Sequence, residues 1–66
     1  MPYSKLREKI AGRFKSMQSF AKSVGISSAS LSLRLNGKRQ WKGNEIVAVC
    51  QVLDIPLEEA HLYFFS

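Results

Sequence analysis

Two groups of residues in this chain are suited to chemistry, and the chemistry is recognition rather than bond making. The first is a run of cations past the middle of the chain: Lys38, Arg39 and Lys42, interleaved with Gln40 and Trp41. Cations at that density suit a polyanion, because each phosphate they neutralise releases a condensed counterion. The second is the set Ser28, Ala29, Ser32 and Leu33. At about 100° per residue these share one outward arc of a helix. Small and hydroxyl side chains let a helix approach base edges closely, and a leucine offers apolar surface to a thymine methyl group. The arc has no Arg, Gln or Lys, the side chains that grip a base with two hydrogen bonds, so base reading there leans on methyl contacts, water, duplex shape and the following loop. An isolated exposed leucine is also common on protein surfaces, and Leu33 admits that reading too.

Catalysis has little to work with. The chain has one histidine, His61, and one cysteine, Cys50. No phosphate-cradling glycine loop, zinc-helix motif or nucleophile–histidine pairing is written, so no enzyme is expected. Two lone ligand types make no metal site, and no cofactor is expected. Cys50 lies in the most apolar stretch and reads as a buried structural thiol. His61 reads as a partly buried structural residue.

The elements that must position the two groups are legible between Ser16 and Gly37. Ser16 is a good N-cap for a helix over 17–24, whose buried stripe is Phe20, Ala21 and Val24. Gly25 ends it, since glycine takes a left-handed backbone without steric cost. Ile26 plugs the corner. Ser27 caps a second helix over 28–35, with Leu31 and Leu35 inward, and Asn36 with Gly37 stops it. Ala21 is small where two crossing helices come closest. Two short helices joined by such a turn are a helix-turn-helix.

The pattern Phe20, Ala21, Gly25, Ile26, Ser27, Leu31, Ser32, Leu35, Asn36, Gly37 resembles the Cro/repressor family of phage and bacterial regulators, strongly over these two helices and loosely over the whole chain. The resemblance implies an all-α, compact five-helix, lambda-repressor-like domain spanning 1–66, with the helix-turn-helix at about 17–36. It implies that the second helix enters the major groove with Ser28, Ala29, Ser32 and Leu33 at the bases. Gln18, Lys22, Asn36, Lys38, Arg39, Gln40 and Lys42 are then the expected contacts to the phosphate backbone. Two departures stand out. The family's usual glutamine four residues before the alanine is Met17 here, with Gln18 one place later. The acid that often pairs with a first-helix arginine is Leu35 here, which implies apolar packing at that point.

Charge is partitioned along the chain. All ten Lys and Arg lie between Lys5 and Lys42 with one acid, Glu8, among them, a net +9. From Gly43 onward there are four acids and no Lys or Arg, a net −4. That places a polyanion on the N-terminal side and a different role on the C-terminal side. At 45% hydrophobic and 23% charged, the composition is that of a folded globular chain rather than a disordered one. A chain of this length buries about 60% of its unfolded surface, enough for one marginal core. With one cysteine no intrachain disulfide forms, which fits a reducing compartment. No signal peptide is expected, and the longest unbroken apolar run, 46–50, is far short of the roughly 20 residues of a membrane helix.

The remaining segments build the core. Residues 2–15 read as a first helix with Leu6, Ile10 and Phe14 inward, and Gly12 hints at an early end. Trp41 either stacks on DNA or packs down as the anchor of its loop, at the staple position before the next helix. Residues 44–53 are apolar on nearly all sides, with Ile46, Val49, Cys50 and Leu53 in one stripe and Val47, Ala48 and Val52 widening it. Such a helix is expected to be buried nearly all round. Pro56 starts a last element near Leu57, either a short helix or a strand, with Glu58 and Glu59 in a first turn that favours acids. On a helical count from Leu57, Ala60, His61 and Phe64 lie near it and can face the core, while Leu62 points away with Tyr63 and Phe65 to the sides. Leu62, Tyr63 and Phe65 then form a dimer interface, or Tyr63, Phe64 and Phe65 simply close the core.

The leading expectation is therefore a sequence-specific, double-stranded DNA-binding regulator. It is Cro-like, from phage or prophage, and represses by occupying a pseudo-palindromic operator as a weak homodimer joined at Leu62, Tyr63 and Phe65. It would work in the cytoplasm of a bacterial cell or phage-infected host, at the nucleoid and away from membranes. No separate C-terminal self-association domain is expected. The alternative is a protein-interaction module of helix-turn-helix shape, such as an antitoxin or phage accessory protein.

Overall fold

The computed structural model describes residues 3–65. Among them the order is α1 (Ser4–Arg13), α2 (Met17–Val24), α3 (Ser28–Leu35), α4 (Gly43–Leu53), a 3₁₀ turn (Leu57–Glu59) and α5 (Ala60–Phe64), with no strand. The fold is all-α with five helices, as expected, and the last element is a helix. The first helix is shorter than the expected 2–15. It stops at Arg13, one residue beyond Gly12, and Phe14 is already extended. Pro2 lies outside the described residues.

Three helix ends use the same stop. After α2 the Ile26 N–H reaches back to the Ala21 carbonyl and the Gly25 N–H to that of Lys22. After α3, Lys38 bonds Leu33 and Gly37 bonds Arg34; after α4, Ile55 bonds Cys50 and Asp54 bonds Gln51. These paired bonds satisfy carbonyls that have no partner within the helix, and they need a left-handed residue at the turn. Gly25 (φ 81°) and Gly37 (φ 73°) supply it without cost, whereas Asp54 adopts it at φ 55°. Arg13 sits over that third stop, with Nη2 2.7 Å from the Asp54 carboxylate and Nη1 donating to the Leu53 carbonyl at 3.4 Å. At the helix starts, the Ser16 hydroxyl accepts from the Ser19 N–H and the Ser27 hydroxyl from the Ser30 N–H, both at 3.1 Å.

The core is shared by all five helices: Leu6 and Ile10 of α1, Phe20 and Ala21 of α2, Leu31 and Leu35 of α3, Val49, Cys50 and Leu53 of α4, then Ile55, Ala60 and Phe64. α2 packs against α3 and α4, and α1 closes the other side against α2, α4 and α5. Trp41 packs down and does not project. Its ring is edge-on to Tyr3 at 6.3 Å and to Phe64 at 5.2 Å, so the loop before α4 is anchored to both ends of the chain.

Two expectations of burial fail. Val47 is 40% exposed, so α4 keeps an open side despite its composition. The helices packed on α4 leave one of its sides uncovered, and the side carrying Asn44, Val47 and Gln51 faces out. His61 is exposed rather than partly buried. Within α5 His61 stands about 100° round from Ala60, at the edge of the face that Ala60 and Phe64 bury, and Leu57, from which the count starts, is itself 61% exposed in the 3₁₀ turn.

Candidate nucleic-acid interface

The rotation of α3 decides which side chains it presents outward. Leu31 and Leu35 are 1% and 2% exposed, while Leu33 is 36% exposed. Ser28, Ala29 and Ser32 are exposed beside it, so the four side chains of the predicted arc do lie together on the outward face. Gln18 and Lys22 on α2, and Lys38, Arg39, Gln40 and Lys42 after α3, are exposed as well. Cations therefore flank the arc along the chain, and small residues fill its middle.

Asn36, read as a phosphate contact, is exposed and is also engaged within the chain. Its Oδ1 accepts from Arg7 Nη2 at 2.9 Å, and its Nδ2 donates to the Ser32 hydroxyl at 3.3 Å. The same Arg7 nitrogen donates to the Leu35 carbonyl at 2.8 Å. The Leu35 side chain does pack into the apolar core as expected, but an arginine of the first helix still holds the end of α3, through a carbonyl and an amide rather than an acid.

Met17, at the place of the family's glutamine, is 38% exposed. With Arg7, Ser28, Leu31, Ser32, Leu35 and Asn36 it lines a cleft of about 170 Å³ at the foot of the arc. The cleft is apolar at its floor and polar at its rim, so the exposed side of α3 borders a concavity.

The one cation on α3, Arg34, escaped the sequence reading. It is 5% exposed and turned inward. Its Nε donates to Glu45 Oε1 at 2.9 Å and its Nη2 to Oε2 at 2.8 Å, a two-pronged bond between α3 and the first turn of α4. Nη1 donates to the Ser30 carbonyl at 3.1 Å. Glu45 Oε1 also accepts the backbone N–H of Lys42 at 2.9 Å, the return half of a capping box at the start of α4. Burial alone pushes the Glu45 carboxyl up, but the Arg34 hydrogen bonds, the Lys42 N–H and the charges of both cations outweigh it and hold the group below its ordinary value. The signal was present in part. Arg34 follows Leu31 by three positions, and Glu45 stands three residues after the end of the loop. Burial of Cys50 pushes its thiol up, away from the reactive thiolate form.

At the C-terminal end of the chain, Leu57 (61% exposed), Leu62 (37%) and Phe65 (73%) are open, and Tyr63 is half-buried with Lys5 Nζ 5.9 Å from its ring centre. Among the described residues no helix is long and apolar enough to cross a membrane.

A protein-family model described as "Protein of unknown function (DUF739)" matches residues 1–66. The chain belongs to this family. The match spans α1 to α5 and the loop of cations alike, so the helix-turn-helix and the C-terminal aromatics are parts of one DUF739 unit. No curated protein matches the chain significantly.

Proposed function

We propose that this chain is a sequence-specific, double-stranded DNA-binding regulator of the Cro type, acting by operator occupancy in the bacterial cytoplasm. One observation carries the reading. α3 is held with Leu31 and Leu35 inward and Ser28, Ala29, Ser32 and Leu33 outward, next to the exposed cations Lys38, Arg39 and Lys42. A helix with small outward side chains between cations fits the major groove, where the cations meet phosphates and the helix meets base edges. The reading gives the protein no catalytic step, metal or cofactor.

Serines discriminate bases weakly, so one copy selects a site poorly and two half-sites multiply the selection. The chain measures 26 × 23 × 22 Å, so the α3 helices of two touching copies reach half-sites one helical turn of about 34 Å apart only when they lie away from the shared seam. The C-terminal end, with Leu62 and Phe65 exposed, Tyr63 half-buried and Leu57 open beside them, is the surface this reading assigns to the pairing.

Selection of bound duplexes from a random pool tests the proposal. The expected result is a two-fold symmetric motif, with affinity falling on a log–log salt plot at a slope of about −5 for about six phosphates. No enriched motif, with salt-insensitive capture of a protein partner, would favour the interaction-module alternative.

A further inference from the structure

We infer that the buried Arg34–Glu45 pair is a positioning element for base reading: it locks α3 and the following basic loop into one rigid unit, and so sets discrimination between sequences rather than overall attraction to DNA. The inference rests on the DNA-binding reading above. Its residues lie outside the surface assigned to the bases, and neither is exposed.

The geometry is directional. A guanidinium and a carboxylate joined by two parallel hydrogen bonds fix a distance and a plane together. Here the fork is Arg34 Nε and Nη2 on Glu45 Oε1 and Oε2, and Nη1 on the Ser30 carbonyl ties the same guanidinium to its own helix. Rotation of α3 against α4 must break one of these bonds. The rotation matters because Ser32 and Leu33 immediately precede Arg34. A side-chain tip about 5–6 Å from the helix axis moves by about 2 Å in a 20° rotation. That exceeds the distance range over which a hydrogen bond to a base edge survives.

The same carboxylate holds the far end of the loop, where the Lys42 N–H donates to Glu45 Oε1. The near end is held by the stop of α3, in which the Lys38 N–H bonds the Leu33 carbonyl. The loop thus runs between the end of α3 and a residue that Glu45 ties to Arg34, so a change in the Arg34–Glu45 geometry moves Lys42 relative to Ser32 and Leu33.

Stability alone does not call for this pair. A buried ion pair can be replaced by apolar side chains of similar volume with little loss, or with a gain. What apolar side chains do not supply is a fixed plane and a bond to the Lys42 backbone.

That contrast gives the experiment. The double variant Arg34→Met/Glu45→Leu keeps the volume and removes the fork. It is expected to fold with a melting temperature near or above that of the wild type. Its affinity for a scrambled duplex and its salt slope stay unchanged, while its preference for the selected operator over the scrambled duplex falls about tenfold. Amide exchange at residues 38–42, measured without DNA, speeds up. Arg34→Lys keeps the charge but loses the fork, and a preference lowered about threefold is expected with the fold intact. A folded double variant with wild-type preference and loop protection would overturn the inference. If the double variant does not fold, Arg34→Lys decides, and a wild-type preference there overturns it equally. A wild-type protein that binds no duplex at any salt sinks the DNA reading and the base-reading role with it. The exchange measurement then shows separately whether the pair holds the loop.

Discussion

The outward face of α3 and the outward face of the C-terminal end are both exposed, and their chemistry is nearly opposite. The first shows Ser28, Ala29, Ser32 and one leucine, with Lys38, Arg39 and Lys42 close behind in the chain. The second shows Leu57, Leu62 and Phe65, with Glu58 and Glu59 beside them. Small side chains among cations permit close approach to a polyanion and leave affinity to many weak, salt-screened contacts. Large apolar groups among acids repel that same polyanion and gain by covering one another. One short chain thus carries two surfaces of opposite character, joined where Trp41 of the basic loop packs on Phe64 of α5.

The most damaging way to break the comparison is at the joint behind the first face. Arg34→Met alone, or Glu45→Leu alone, leaves an uncompensated buried charge and should cost about 3–5 kcal/mol in a denaturant melt. Acid sharpens the same point. The folded Glu45 carboxyl lies below its ordinary value of 4.5. Its contribution is therefore fully present above about that pH and is lost as pH falls through the lower folded value. The melting temperature should fall in that acid window in the wild type, and the part due to this carboxyl should be absent from the Arg34→Met/Glu45→Leu variant.

Next in size is the contrast along α3 itself. Leu31→Ala should cost about 2–5 kcal/mol, since the side chain is 1% exposed. Leu33→Ala should cost under about 0.5 kcal/mol of stability and should shift the base preference recovered from a random pool. Equal losses in the two melts would mean that α3 does not sit in this rotation in solution.

Lys38→Ala and Arg39→Ala act on the phosphate side only. Each should weaken binding to all duplexes alike and make the salt slope shallower by about 1. A change in the selected motif from either variant would put these residues at the bases.

The C-terminal face is tested by Leu62→Ala with Phe65→Ala. Sedimentation and operator titration should show lost cooperativity and a changed stoichiometry, with affinity for a half-site duplex kept. Unchanged stoichiometry and cooperativity would remove the pairing surface. The smallest effect is expected at the third helix stop. Asp54→Gly relieves a left-handed aspartate but gives up an exposed ion pair with Arg13. These offset to within about 0.5 kcal/mol.

Much of this molecule was legible from local rules. Ser16 and Ser27 cap, Gly25 and Gly37 stop, and Leu31 and Leu35 point inward because each effect acts within a turn or two of helix and needs no knowledge of the rest. The partition of charge at Gly43 is a property of the chain alone. What the tertiary structure decided lies between elements. A helical count gives an angle about a helix's own axis, but it does not say which neighbour occupies that angle. Val47 looks out because no helix covers that side of α4, and His61 looks out because the core takes only the narrow face of α5 that carries Ala60 and Phe64. Asn36 turns to Arg7, which lies 29 residues away in sequence. Arg34 is buried because the path of the loop brings Glu45 to within 2.8 Å. A charge survives burial only beside its partner, and only the packed chain brings the two together.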